Sequence, residues 1–188
     1  MTKIKYLLYI ALSILLISYP FLVYFGLQYL EPRYVGLLVL VLLVLRFLTV
    51  HKQITWKNLK PLIVITVASS TLCLMIMVLN QTTLLRFYPV LINLVLLLIF
   101  VSTLIKPPSM IERFARLTNP DLPEQAISYT RIVTLIWCSF LAFNATVAAI
   151  ISVYATLEIW TLYNGLIAYL LMGLIFIIEY VVRQFKIK

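Results

Sequence analysis

His51 is the only histidine and Asp121 the only aspartate among 188 residues. A Ser-His-Asp triad is hard to build from that set, and a histidine-rich metal site is excluded. Cys73 and Cys138 both lie inside apolar runs and read as small core residues, neither a disulfide framework nor a metal pair. No phosphate-binding glycine loop, H-E-x-x-H, G-x-S-x-G or C-x-x-C occurs. The chemistry left to the chain therefore rests on two groups of polar side chains.

The first group is set within or beside long apolar runs: Arg86, Asn93, Asn144, Glu158, Tyr163 and Asn164. Arg86 and Asn93 are seven residues apart, which places them on one helix face. A polar group facing hydrocarbon is costly, so these residues are expected to turn inward and find partners. The simplest pairing is Arg86 with Glu158, with Tyr163 and Asn164 close by. Interhelical hydrogen bonds of ~0.6–2 kcal/mol account for such a set without any ligand. A polar pocket opening to the outside is the alternative.

The second group crowds one hairpin, from Lys106 to Arg131. Ser109 and Glu112 form an S-x-x-E capping box directly after Pro107-Pro108. The helix they start is amphipathic, with Met110, Ile111, Phe114 and Leu117 on one face and Arg113 and Arg116 on the other. Glu112 and Arg116 can pair at i,i+4. Asn119-Pro120 stops this helix, Asp121 with Glu124 repeats the capping pattern, and Pro123 suits the first turn of the next helix. The pattern predicts a short helix over Met110–Leu117 lying in the membrane interface. Lys106, Arg113, Arg116 and Arg131 then touch anionic lipid headgroups. Alternatively they dock an acidic partner or a phosphorylated lipid, with Glu112 and Asp121 setting its orientation. Glu179 and Arg183 form a further i,i+4 pair, read as a structural lock.

The elements that must carry these groups follow from composition. The chain is 64% hydrophobic and 11% charged, with a mean hydropathy of +1.09. A soluble domain carries roughly a quarter charged residues, so the excess apolar surface calls for lipid as solvent. The length allows one domain, all-α and integral to a membrane. A hydrocarbon core of ~30 Å takes about 20 apolar residues in helix. Six segments qualify: Tyr6–Gln28, Tyr34–Val50, Leu62–Leu79, Arg86–Ile105, Tyr129–Thr156 and Trp160–Val182. Pro20 is expected to bend the first, and Pro61 to fall in the first turn of the third. The first reads as a retained helix and not a cleaved leader, because its apolar run continues to Leu30 with no A-x-A site. Ala145/Ala149 and Ala148/Ser152 are small pairs that let the fifth helix approach a neighbour closely.

Six spans put both termini on one side. That side then holds Lys3, Lys5, Arg46, Lys52, Lys57, Lys60, Lys106, Arg113, Arg116, Arg131, Arg183, Lys186 and Lys188. Only Arg33 and Arg86 fall on the other. With the acids included, one face carries the whole net charge of +9 and the other none. Lysine and arginine gather in cytoplasmic loops, so the charged face is read as cytoplasmic. The same rule accounts for the basic balance without nucleic acid.

The run from Arg86 onward resembles a family of small bacterial predicted inner-membrane proteins encoded near aryl-polyene and related fatty-acid-like pigment biosynthesis genes. The residues carrying the resemblance are RFYPVLINL (Arg86–Leu94), PPS-x-x-ER-x-AR (Pro107–Arg116) and PDLP (Pro120–Pro123). Trp137 with Asn144, W-x-LYNGLIAYLLMG (Trp160–Gly173), and Glu179 with Arg183 complete it. The resemblance implies a bacterial inner-membrane location and a lipid or polyene context. The function expected is that of a non-catalytic accessory or scaffold protein, without cofactor or metal. Its hairpin would meet membrane lipid, an acidic acyl carrier protein, or a biosynthetic membrane complex. An amphiphile transporter or flippase using the Arg86/Glu158/Asn164 group is the alternative. The recurring dipeptides Tyr19-Pro20 and Tyr88-Pro89 are too short to mark an internal repeat.

Overall fold

The computed structural model describes residues 3–50 and 56–186, without the side chains of 3–9, 50, 56–59 and 186. His51, Lys52 and Lys188, and the side chains of Lys3, Lys5, Trp56, Lys57 and Lys186, lie outside the described residues. Every regular element described is helical. In order they are α1 (Lys3–Ile17), α2 (Tyr19–Tyr29), α3 (Pro32–Val50), α4 (Trp56–Leu79), α5 (Thr82–Arg86) and α6 (Tyr88–Ile105). Then come α7 (Met110–Thr118), α8 (Glu124–Tyr154), α9 (Leu157–Leu162), a π-helical turn at Tyr163–Ile167, and α10 (Ala168–Lys186). Five runs are long and apolar enough to cross a membrane, and α1 with α2 makes a sixth if the bent pair counts as one. The chain is therefore an all-α protein of the multi-pass membrane type.

Prolines decide where the runs break. The first expected span is cut at Ser18, where its halves meet at 70°. Pro20 sits in the first turn of α2, where a missing N–H costs little. The Phe21 amide turns to the Ser18 carbonyl at 3.0 Å. The fourth expected span is also cut. Arg86 ends the separate helix α5, and α6 begins only after Phe87, with Pro89 in its first turn. Pro61 departs from expectation: α4 starts at Trp56, so the proline lies inside the helix. The fifth run starts five residues earlier than expected, at Glu124, with Pro123 as its N-cap. The last starts at Leu157, because the Thr156 hydroxyl caps it by accepting from the Ile159 amide at 3.5 Å.

Two cores hold the bundle. Tyr19 and Val23 of α2, Val39 of α3, Ile76 of α4, Leu85 of α5 and Trp160 of α9 are all within 3% of full burial and share the first. The second joins Val133, Trp137, Phe140 and Leu141 of α8 to Phe100 of α6, Ile111 of α7 and Met172 of α10. Cys73 and Cys138 are buried free thiols. Ala145, Ala148 and Ser152 are buried within the protein, so these small residues of α8 serve internal packing.

At one end, α3 and α4 are clamped together. Arg33 pairs with Glu31, the Asn80 side-chain amide donates to Glu31 Oε2 at 3.0 Å, and the Arg33 amide donates to Asn80 Oδ1 at 3.0 Å. Asn80 holds a left-handed φ of 49°, which asparagine tolerates better than most residues. Gly36 lets α3 approach α4: a Cβ there would lie 2.8 Å from Ile76 Cγ2. Gly36→Val is expected to lower unfolding stability by ~1–3 kcal/mol through overpacking. Gly173 has nothing within 4 Å of its Cβ position, so Gly173→Ala is expected to be neutral or stabilising by up to ~1 kcal/mol. Unfolding of the purified protein in mixed micelles measures both, and equal effects at the two glycines would contradict this packing.

Candidate functional site

The helix breaks at Tyr19-Pro20 and Tyr88-Pro89 meet. The two tyrosine rings stack with centroids 4.2 Å apart, and Trp160 packs edge-on against Tyr19. Pro89 has no N–H to give to the carbonyl of Leu85, four residues back. That buried carbonyl takes the Tyr19 hydroxyl at 2.8 Å. The next carbonyl, of Arg86, takes both the Ser152 hydroxyl at 2.7 Å and the Trp160 indole N–H at 2.9 Å. A buried carbonyl without a donor costs about 1–3 kcal/mol. The break thus ties α2, α8 and α9 to one point on the chain. At the other break, the Tyr169 hydroxyl donates to the Ile17 carbonyl at 2.7 Å.

The Arg86 side chain does not form the expected pair with Glu158. Glu158 is exposed in the first turn of α9. The guanidinium lies at the C-terminus of α8, where Nη2 donates to the Ile151 carbonyl at 2.8 Å and also to the Ala155 carbonyl. A helix end leaves its last carbonyls without amide partners and carries the negative end of the dipole, so a cation is well placed there. Arg86 is the cap of the longest helix described.

Asn93, Asn144 and Tyr163 do come together, as a hydrogen-bonded chain across three elements. Tyr163 donates to Asn144 Oδ1 at 2.8 Å, Asn144 Nδ2 to Asn93 Oδ1 at 2.9 Å, and Asn93 Nδ2 to the Pro89 carbonyl at 2.7 Å. Both asparagine side-chain oxygens receive a donor, and all three residues are buried. Asn164, also buried, donates to the Trp160 carbonyl at 2.9 Å. The group is packed glue linking α6, α8 and the π turn. Tyr19, Ser152 and Trp160 join this site, although the sequence marks them only by a recurring Tyr-Pro dipeptide, a small-residue pair and the start of a span.

The first half of the hairpin forms as expected, with α7 running one residue beyond Leu117, whereas the Asp121–Glu124 capping pattern does not form: Pro123 is the N-cap of α8, and no side chain caps it. Glu112 N–H donates to Ser109 Oγ at 3.4 Å and Ser109 N–H to Glu112 Oε2 at 3.3 Å, completing the capping box. Arg116 bonds Glu112 Oε1 twice, at 2.9 and 2.8 Å, and the Pro120 carbonyl at 2.8 Å. Arg113 closes on the carbonyls of Pro108 at 2.8 Å and Lys106 at 3.4 Å. The Ile111 amide donates to Thr134 Oγ1 at 3.2 Å, docking α7 on α8. Glu112 and Arg116 are thus occupied in holding α7. Lys106, Asp121 and Arg131 are exposed. The apolar face divides: Met110 is buried and Ile111 packs on the second core, while Phe114 and Leu117 remain 55% and 78% exposed.

At the far end of α10, Arg183 pairs with Glu179 at 3.5 Å, as expected. The Tyr129 hydroxyl donates to the Glu179 carbonyl at 3.2 Å, fastening α10 to α8. No group of three or more His, Cys, Asp or Glu able to hold a metal occurs among the described residues. Comparison with protein-family models, curated proteins and solved structures found no match.

Replacing Arg86 with Met removes the cap of α8 and is expected to cost ~1–3 kcal/mol, with Arg86→Lys recovering part of it. Tyr163→Phe strips the donor from Asn144 Oδ1 at an expected cost of ~1–2 kcal/mol. A double-mutant cycle of Tyr163→Phe with Asn144→Ala measures the contact itself, and strictly additive losses would contradict it.

Proposed function

We propose that this protein is a non-catalytic accessory protein of the bacterial cytoplasmic membrane. In this reading it crosses the bilayer six times, with both termini and the α7 hairpin on the cytoplasmic side. It holds a lipid or aryl-polyene-like amphiphile for assembly, while α7 lies in the interface and docks an acidic carrier protein or anionic headgroups. The charge partition supports the orientation, since thirteen of the fifteen lysines and arginines fall on the α7 side.

The observation that carries this reading is how firmly α7 is held. The capping box, the Glu112–Arg116 pair and the Ile111–Thr134 bond fix a nine-residue helix against the bundle. Phe114 and Leu117 are left facing out, with Lys106 and Arg131 exposed nearby in sequence. Exposed apolar and cationic side chains suit a headgroup layer. An ordered cationic surface loses less conformational freedom on docking than a flexible loop. Occupation of Asn93, Asn144 and Tyr163 by one another and by backbone, with Arg86 Nη2 on the end of α8 though its buried Nε has no partner among the described residues, favours this reading over transport through the opposite group.

Lys106→Glu with Arg131→Glu reverses the exposed charge without touching the bonds that hold α7. Recovery of the acidic partner after crosslinking in membranes is expected to fall about tenfold and to weaken with salt. Undiminished recovery from the double variant would contradict docking at this surface.

A further inference from the structure

A second surface, on α2 and α3, carries an apolar groove. Behind the bend at Ser18, α2 and α3 enclose an open groove of about 330 Å³. Phe21, Leu22, Phe25, Leu30, Val35 and Leu38 line it. That volume is at the low end of the ~300–1,000 Å³ typical of ligand clefts, enough for a stretch of one hydrocarbon chain and too small for a whole two-chain lipid.

Two features set this groove apart from ordinary lipid-facing surface. Its walls are fixed by close contacts: Gly26 brings α2 so near α3 that a Cβ there would lie 3.0 Å from Val35 Cγ2. The Phe21 ring lies over Gly165 of the π turn, with ring carbons 2.9 Å from where a Cβ would be. A charged clamp also follows the groove-lining Leu30 in the chain. Leu30 leads directly into Glu31, and Leu38, Val35 and Glu31 follow one face of the chain at helical spacing. Glu31 and Arg33 are each about half exposed, at 50% and 48%. Both contacts to Glu31, from Arg33 and Asn80, fall on Oε2. Oε1 has no protein partner among the described residues, and Arg33 keeps guanidinium N–H groups to give. The clamp offers one cation and one acceptor-rich anion side by side, with no net charge.

We infer that this groove binds one acyl chain of a zwitterionic phospholipid, with its phosphate on Arg33 and its ammonium on Glu31. An anionic headgroup would satisfy Arg33 but meet the Glu31 carboxylate unfavourably, so the clamp discriminates between headgroups where the groove does not. The site is independent of the α7 hairpin.

Native mass spectrometry of the full chain in mild detergent, titrated with palmitoyl-oleoyl phosphatidylethanolamine or phosphatidylglycerol, tests this. The expected result is one retained phosphatidylethanolamine per chain, held about fivefold or more tighter than phosphatidylglycerol. Glu31→Gln is expected to abolish that preference while the chain still binds lipid. Leu38→Trp, at a half-exposed position where folding should survive, is expected to remove retention of both lipids. Equal or tighter binding of phosphatidylglycerol by the unsubstituted chain would overturn the headgroup assignment. Unchanged retention in Leu38→Trp would overturn the groove.

Discussion

The amide hydrogen that Pro89 lacks governs more of this molecule than any single charge. Pro89 has no N–H for the Leu85 carbonyl, and the helix breaks at Phe87, so the Leu85 and Arg86 carbonyls at the end of α5 take no amide from α6. Inside a membrane protein such groups must find donors within the fold. They find them in Tyr19, Ser152 and Trp160, from three other helices. The same turn aims the Arg86 side chain at the open C-terminus of α8. The break between α5 and α6 thus ties α2, α8 and α9 to one point on the chain.

Tyr19-Pro20 works the same way on a smaller scale. The break at Ser18 frees the Ile17 carbonyl for Tyr169, and the two Tyr-Pro breaks stack ring on ring. The Asn93–Asn144–Tyr163 chain extends from this junction through the Pro89 carbonyl. Tyr19, Ser152, Trp160 and Tyr169 thus serve carbonyls freed by broken helices.

Local patterns are legible in the sequence, and contacts between distant residues mostly are not. The capping box at Ser109 and Glu112, the Glu112–Arg116 pair and the Glu179–Arg183 pair each span three or four residues, so spacing points to them, although the similarly spaced Asp121 and Glu124 form no cap. The apolar runs are equally plain, although proline shifts or splits several of their ends. Arg86 reads correctly as a cation needing a partner, but Glu158 is the wrong partner. A carboxylate is visible in a sequence, whereas the bare carbonyls at a helix end appear only once that end is placed beside the arginine. The apolar face of α7 reads as continuous in the sequence. Tertiary packing divides it, burying Met110 and leaving Leu117 outside.

If the inner polar set is packing and the working surface is the charged hairpin, water should reach one and not the other. Cysteine labelling by a membrane-impermeant reagent in sealed inverted vesicles, with Cys73 and Cys138 replaced by serine, tests this most directly. The predicted result is rapid labelling of Lys106→Cys and none of Asn144→Cys, in these vesicles or in right-side-out ones. Labelling of Asn144→Cys from either side would reveal a water-filled pocket and contradict the packed interior, and protection of Lys106→Cys from the cytoplasmic face would contradict the hairpin's placement.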